Sequence, residues 1–90
     1  MKIIFSESAK DKLKELKKRD SKLLDKIYKQ LDLFIENPKH PSLRTHKLTG
    51  KLGSSWSVSI DRKFRFAYTL TEEGDAYFYK FGTHDEVYNK

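Results

Sequence analysis

Residues 56–81, WSVSIDRKFRFAYTLTEEGDAYFYKF, decide the fold. Trp56-Ser57-Val58-Ser59-Ile60 alternates in the period-2 pattern of a half-buried strand. Asp61-Arg62-Lys63 makes a short basic turn into Phe64-Arg65-Phe66-Ala67-Tyr68-Thr69-Leu70, which is strand-like again. Thr71-Glu72-Glu73-Gly74-Asp75 is a turn cluster, and Ala76-Tyr77-Phe78-Tyr79-Lys80-Phe81 is an aromatic strand of the residue types that pleated surfaces favour. Consecutive strands joined by short turns predict a meander.

Outward from the meander, residues 38–53 (PKHPSLRTHKLTGKLG) read as an irregular basic connection. Before it, Leu23, Leu24, Ile27, Leu31, Phe34 and Ile35 follow helical spacing, with Asp20 or Ser21 as the cap. That helix stops near Asn37, because Pro38 disfavours helical geometry in the residue before it. Ala9, Leu13 and Leu16 mark an earlier helix capped by Ser6 or Ser8 and ending in Lys17-Lys18-Arg19, where positive charge suits the helix dipole. Lys2-Ile3-Ile4-Phe5 reads as a short strand, and its consecutive apolar residues are the pattern of an internal one. The order β-α-α-β-β-β predicts an α+β fold: a helical hairpin packed on one face of a small, antiparallel-rich sheet, as one domain over residues 1–90.

With 90 residues and no cysteine, the chain can build one small core but no disulfide framework and no thiolate site. Its longest apolar run, Ile3-Ile4-Phe5, is far short of a membrane span, so a cytoplasmic setting without membrane contact is expected. The net charge of +6 is unevenly placed. Residues 1–38 carry +3, residues 39–65 carry +6 with Asp61 as their single acid, and residues 66–90 carry −3. A local basic excess suits a polyanion, nucleic acid first and acidic protein second, although a solubilising surface has the same composition.

No HExxH, GxxxxGK[ST] or GxGxxG motif occurs, so neither a metal nor a nucleotide cofactor is expected. What remains is a set of cations and imidazoles around the predicted sheet: His46 and Lys47 before it, Arg62 and Arg65 around its first hairpin, His84 and Tyr88 after its last strand. Alternation puts Arg65 with Ala67 and Thr69 on the face opposite Phe64, Phe66 and Tyr68. There a guanidinium fork can hold a phosphate, or simply meet solvent. Imidazole transfers protons near neutral pH, although a loop histidine such as His40 is more often a bystander. Together these groups permit metal-free RNA cleavage, in which a 2′-OH attacks the adjacent phosphate: a base, cations for the phosphorane and an acid are all available. Trp56, Tyr77 and Tyr79 could equally serve a non-catalytic RNA-binding module as stacking surfaces.

Thr45-His46-Lys47-Leu48-Thr49-Gly50, the strands at 56–60 and 64–68, and Gly82-Thr83-His84-Asp85-Glu86-Val87-Tyr88 resemble the RelE/ParE superfamily of bacterial toxins over nearly the whole chain. The HxLxG and GTHxxxY runs point to its ribosome-dependent mRNA endonuclease branch, near YafQ. The resemblance implies a RelE-like microbial RNase fold and a toxin of a type II toxin–antitoxin system. Its implied partners are mRNA, the ribosomal A site and an acidic antitoxin. It implies His84, Arg65, His46 and Tyr88 as catalytic candidates: His84 the principal acid/base, Arg65 the phosphate stabiliser, Tyr88 orienting the nucleotide. Arg44, Lys47, Lys51, Arg62 and Lys63 are the RNA-binding candidates. The second histidine and the aspartate of YafQ-like toxins fall on Ser59 and Lys63, and the strand lysines of RelE fall near Trp56 and Val58. His46, His84 and Lys47 therefore all stay open as the general base. A ParE-like inhibitor of DNA gyrase is the alternative within the same fold.

Overall fold

The computed structural model describes residues 1–48 and 54–88. Strand β1 (Ile3–Phe5) leads into helices α1 (Glu7–Arg19) and α2 (Ser21–Glu36). A 3₁₀ turn (Pro41–Leu43) precedes β2 (His46–Leu48), β3 (Ser55–Ser59), β4 (Phe64–Leu70) and β5 (Ala76–Thr83), and α3 (His84–Tyr88) follows. The strands lie in the order β1-β5-β4-β3-β2, with β1 parallel to β5 and the other pairs antiparallel. The α+β fold and the meander are as expected, with two additions: β2 lies within the stretch read as irregular, and α3 ends the described chain.

Local chemistry sets the helix boundaries. The Ser6 side chain accepts from Ala9 N–H at 3.0 Å and opens α1. Asp20 serves both helices: its N–H donates to Leu16 C=O to close α1, and its carboxylate accepts from Leu23 N–H at 3.1 Å to open α2. The chain therefore reverses with its end groups satisfied, and both apolar stripes face one way. Leu13, Leu23, Ile27 and Phe34 meet Val58, Phe66 and Phe78 in the core. Phe34 and Phe66 both meet the Phe78 ring edge-on, with centroids 5.3 and 5.0 Å away. Among the described residues no helix is long and apolar enough to cross a membrane.

Two expectations need correcting here. Strand β1 is an edge strand, not an internal one. It is three residues long, and the middle one, Ile4, is 38% exposed, so its consecutive apolar residues reflect shortness rather than burial on both faces. Trp56 is not a free stacking surface, because it packs against the core and stacks on Tyr68 at 5.8 Å.

The other sheet face carries the residues of interest. Register places Ser57 opposite Ala67 and His46, and Ser59 opposite Arg65, so these side chains share the face away from the helical hairpin. Helix α3 folds back onto it, burying Val87 against Leu48 and Ala67. Gly82 permits that approach: a Cβ there would lie 2.7 Å from Glu86 Oε1 and 3.0 Å from Glu86 Cβ.

Candidate active site

The turn into α3 is a capping box. Glu86 Oε1 accepts from Thr83 N–H at 2.7 Å, and Thr83 Oγ1 accepts from Glu86 N–H at 3.3 Å. The Thr83 backbone and hydroxyl contacts hold the exposed Glu86 carboxylate below its ordinary pKa, outweighing the small effect of desolvation. This turn fixes His84 at the start of α3 and Tyr88 one turn later. Their rings meet edge-on with centroids 4.2 Å apart.

Tyr88 connects the last helix to the sheet. Its hydroxyl lies 3.1 Å from His46 Nδ1 and 3.3 Å from Ser57 Oγ. Ser57 is fully buried, and its Oγ accepts from Arg65 Nε at 2.7 Å. Arg65 Nη2 donates to the Ser57 carbonyl at 3.0 Å and also to the Arg44 carbonyl. An unbroken hydrogen-bonded line thus runs from His46 on β2 through Tyr88 on α3 and Ser57 on β3 to Arg65 on β4. His84 packs beside it.

Arg65 is 8% exposed, so it does not stand on an open face. Burial pulls its pKa down, the adjacent Tyr88 phenol opposes that, and the Arg44 cation adds to the lowering. It remains a cation, as arginine does in proteins. Nε and Nη2 are engaged by Ser57 and the Arg44 carbonyl, and the Tyr88 phenol lies close to the same guanidinium.

Arg65 and His84 line a cleft of about 450 Å³ with Arg44, Ser59, Asp61 and Arg62. Asp61 is committed to its turn, accepting from Lys63 N–H at 2.9 Å and Phe64 N–H at 2.8 Å and pairing with Lys26 at 3.5 Å. Burial raises its pKa, but those contacts outweigh it and the carboxylate ends below its ordinary range. The cleft is therefore a cationic slot with a tethered carboxylate at its rim. Among the described residues, no group of His, Asp and Glu side chains is arranged to hold a metal ion.

Of the residues singled out from sequence, His46, Arg65, His84 and Tyr88 come together, and Arg44 and Arg62 line the cleft with Arg65 and His84. Lys47 does not: it pairs with Trp56 in the register and so alternates to the face of the helical hairpin. Lys63 lies over the Phe64 ring at 5.4 Å, away from the cleft lining. Lys51 lies outside the described residues. Sequence reasoning missed Ser57, which reads as ordinary polar alternation in a strand. It also missed the Thr83/Glu86 box, which was legible as Thr-x-x-Glu.

No protein-family model matches the chain. It is 33% identical over 79 residues to the protein named "Putative toxin RelE4" of Methanocaldococcus jannaschii, covering 87% of this chain and 80% of that protein. Its fold is similar to that of the YoeB/ParE toxin from Agrobacterium tumefaciens, with TM-score 0.78, 20% identity and coverage of 93% and 99% of the two chains. It is also similar to YafQ from Escherichia coli, with TM-score 0.73, 21% identity and 97% of both chains covered. For a chain of the YoeB–YefM complex from Staphylococcus aureus the TM-score is 0.76 at 22% identity, covering 93% and 97%.

Proposed function

Since the chain belongs to the RelE/ParE toxin superfamily, we propose that it is the toxin of a type II toxin–antitoxin system and cleaves mRNA on the ribosome without a metal. One observation carries this reading: two imidazoles, a phenol and a guanidinium, drawn from three separate elements, gather in one cluster, and two of them, Arg65 and His84, line a cationic cleft. A binding module would need the cations but not the imidazoles aligned with them.

In the proposed reaction the substrate phosphate lies in the cleft, with Arg65, Arg44 and Arg62 stabilising the dianionic phosphorane. The ribose 2′-oxygen loses its proton to an imidazole as it bonds to phosphorus. The bond from phosphorus to the 5′-oxygen breaks, and that oxygen takes a proton from the second acid. The products are a 2′,3′-cyclic phosphate and a 5′-hydroxyl. His84, at the cleft wall, is the principal acid/base, and His46, with Nε2 left by its Nδ1 contact to Tyr88, is the second. Lys47 leaves this role because its side chain alternates to the other face. Tyr88 orients the nucleotide.

The proposed setting is the cytoplasm, where ribosomes are, and the proposed regulator is an acidic antitoxin. Solved complexes of similar fold, YoeB–YefM and DinJ–YafQ, support a protein partner of that kind. The test is induced expression with mapping of transcript ends. Growth arrest with cuts confined to translated messages is expected, and an Arg65→Ala/His84→Ala double variant should lose both. A double variant that cuts as well as wild type refutes the assignment. Gyrase-dependent DNA breaks with intact messages would instead favour a gyrase-directed toxin.

A further inference from the structure

We infer that Ser57 is a positioning residue that sets the orientation of Arg65 and joins it to the Tyr88–His46 pair. The inference rests on the proposed cleavage reaction for its consequence but on geometry for its content. Ser57 is fully buried at the centre of the hydrogen-bonded line, where a polar group persists only if its bonds are made. A hydroxyl offers one donor and two acceptor sites. Here its Oγ accepts from Arg65 Nε at 2.7 Å, and its proton can go to Tyr88 Oη at 3.3 Å. The Tyr88 hydroxyl in turn lies 3.1 Å from His46 Nδ1, and a phenol can donate to that nitrogen or accept from it, so the line closes in either tautomer of His46. Every group in the line thus has a partner, and His46 Nε2 lies outside it.

The backbone of Ser57 contributes too. Its carbonyl accepts from Arg65 Nη2 at 3.0 Å, so a single residue grips the Nε/Nη2 edge of the guanidinium at two points. That edge aims the cation, and Arg65 lines the cleft. Without Oγ, Nε loses its acceptor and the guanidinium is held only through the two bonds of Nη2, about which it can swing, while Tyr88 loses the contact that ties it to β3. The charge remains in the protein but no longer points at one place. Pre-aimed charge is what a transition state rewards, so the loss should fall on kcat rather than on binding.

The variants are Ser57→Ala and Ser57→Cys, the second keeping nearly the side-chain shape with a thiol that is a weak donor and acceptor. The first readout needs no activity. In the ¹⁵N spectrum of the whole protein, the Arg65 Nε–H should give a slowly exchanging signal, identified by its disappearance in Arg65→Lys. Both Ser57 variants should lose the protection of that signal while main-chain amide signals away from residue 57 stay close to wild type, so that the protein is shown to be folded. The second readout is single-turnover cleavage on ribosomes programmed with a defined message. Both variants should lower kcat roughly 10- to 100-fold, the scale of a lost hydrogen bond to a charged group, with KM within about 2-fold. A Ser57→Cys protein that keeps the protected signal, or that cuts at the wild-type rate, overturns the inference. If wild type itself cuts nothing, the cleavage reading fails, and the Nε–H signal still decides whether Ser57 holds Arg65.

Discussion

Replacing Gly82 with alanine should detach the helix that carries two of the candidate catalytic groups. An added Cβ would sit 3.0 Å from Glu86 Cβ, tighter than the ordinary contact that begins at 3.4 Å, so the helix must give by a few tenths of an ångström there. The Glu86 carboxylate, 2.7 Å from the same point, can swing away, but only by giving up its bond to Thr83 N–H. Glu86 Cβ has no such freedom, because it is fixed by the backbone of α3. The helix is five residues long and cannot hold itself together in isolation. Its anchorage is Val87, 7% exposed against Leu48 and Ala67, whose full exposure costs roughly 1.5–3 kcal/mol. At roughly 4–8 °C per kcal/mol for a domain of this size, the melting temperature should drop by roughly 6–24 °C. Cleavage should fall further than stability, since His84 and Tyr88 both travel with α3. The assay pairs thermal unfolding with ribosome-programmed cleavage at a temperature where the variant is folded. A companion Gly82→Ala/Glu86→Gly protein, which removes the opposing Cβ, should recover part of the lost stability relative to Gly82→Ala. An unchanged melting temperature and rate in Gly82→Ala would refute the claim that this close approach docks α3.

Three further outcomes follow from charge and backbone geometry. The folded-state pKa of Glu86 is lowered, so its stabilising contribution is complete above its ordinary value of 4.5 and is lost as pH falls through the lower folded value. Acid titration of a Val87 methyl signal should show α3 loosening in that window for wild type and a flatter profile for Glu86→Gln; equal profiles would contradict the linkage. Arg44 sits at φ 45°, a left-handed conformation that costs a non-glycine residue energy. Arg44→Gly should therefore gain roughly 0.5–1 kcal/mol of stability, read by denaturant unfolding. The same change should weaken RNA binding, with the slope of log K against log salt shallower by about 0.7 if Arg44 meets one phosphate.

How far the sequence could be read depends on where the information lies. Asp20 and Ser6 announced their helices, because a cap is a local event involving a few neighbouring residues. The Trp56–Phe81 meander was equally local. Strand β2 was hidden because only Leu48 of its three residues is buried, which leaves no alternation to see; it forms by pairing with β3. The face occupied by Arg65 was legible from period 2, but its burial was not, since the cover is a five-residue helix folding back from the end of β5. That fold-back depends on Gly82 facing Glu86 and on the Thr83 cap, of which only the cap leaves a mark in sequence. His46 and Tyr88 could be nominated from motifs, yet their 3.1 Å contact spans 42 positions and exists only because β2 and α3 converge. Ser57 was the least visible, since nothing distinguishes a serine that aims a guanidinium from one that fills an alternation.

The central claim is that these groups cut RNA by internal attack of a 2′-hydroxyl. The most direct measurement is the chemistry of the cut ends, made with purified protein, ribosomes holding a defined codon in the A site, and end-labelled message. The expected result is a single cut in that codon, a 2′,3′-cyclic phosphate upstream and a 5′-hydroxyl downstream, with the cut lost in the Arg65→Ala/His84→Ala double variant. A 5′-phosphate on the downstream fragment, or a message left whole while the ribosome is occupied, would contradict it.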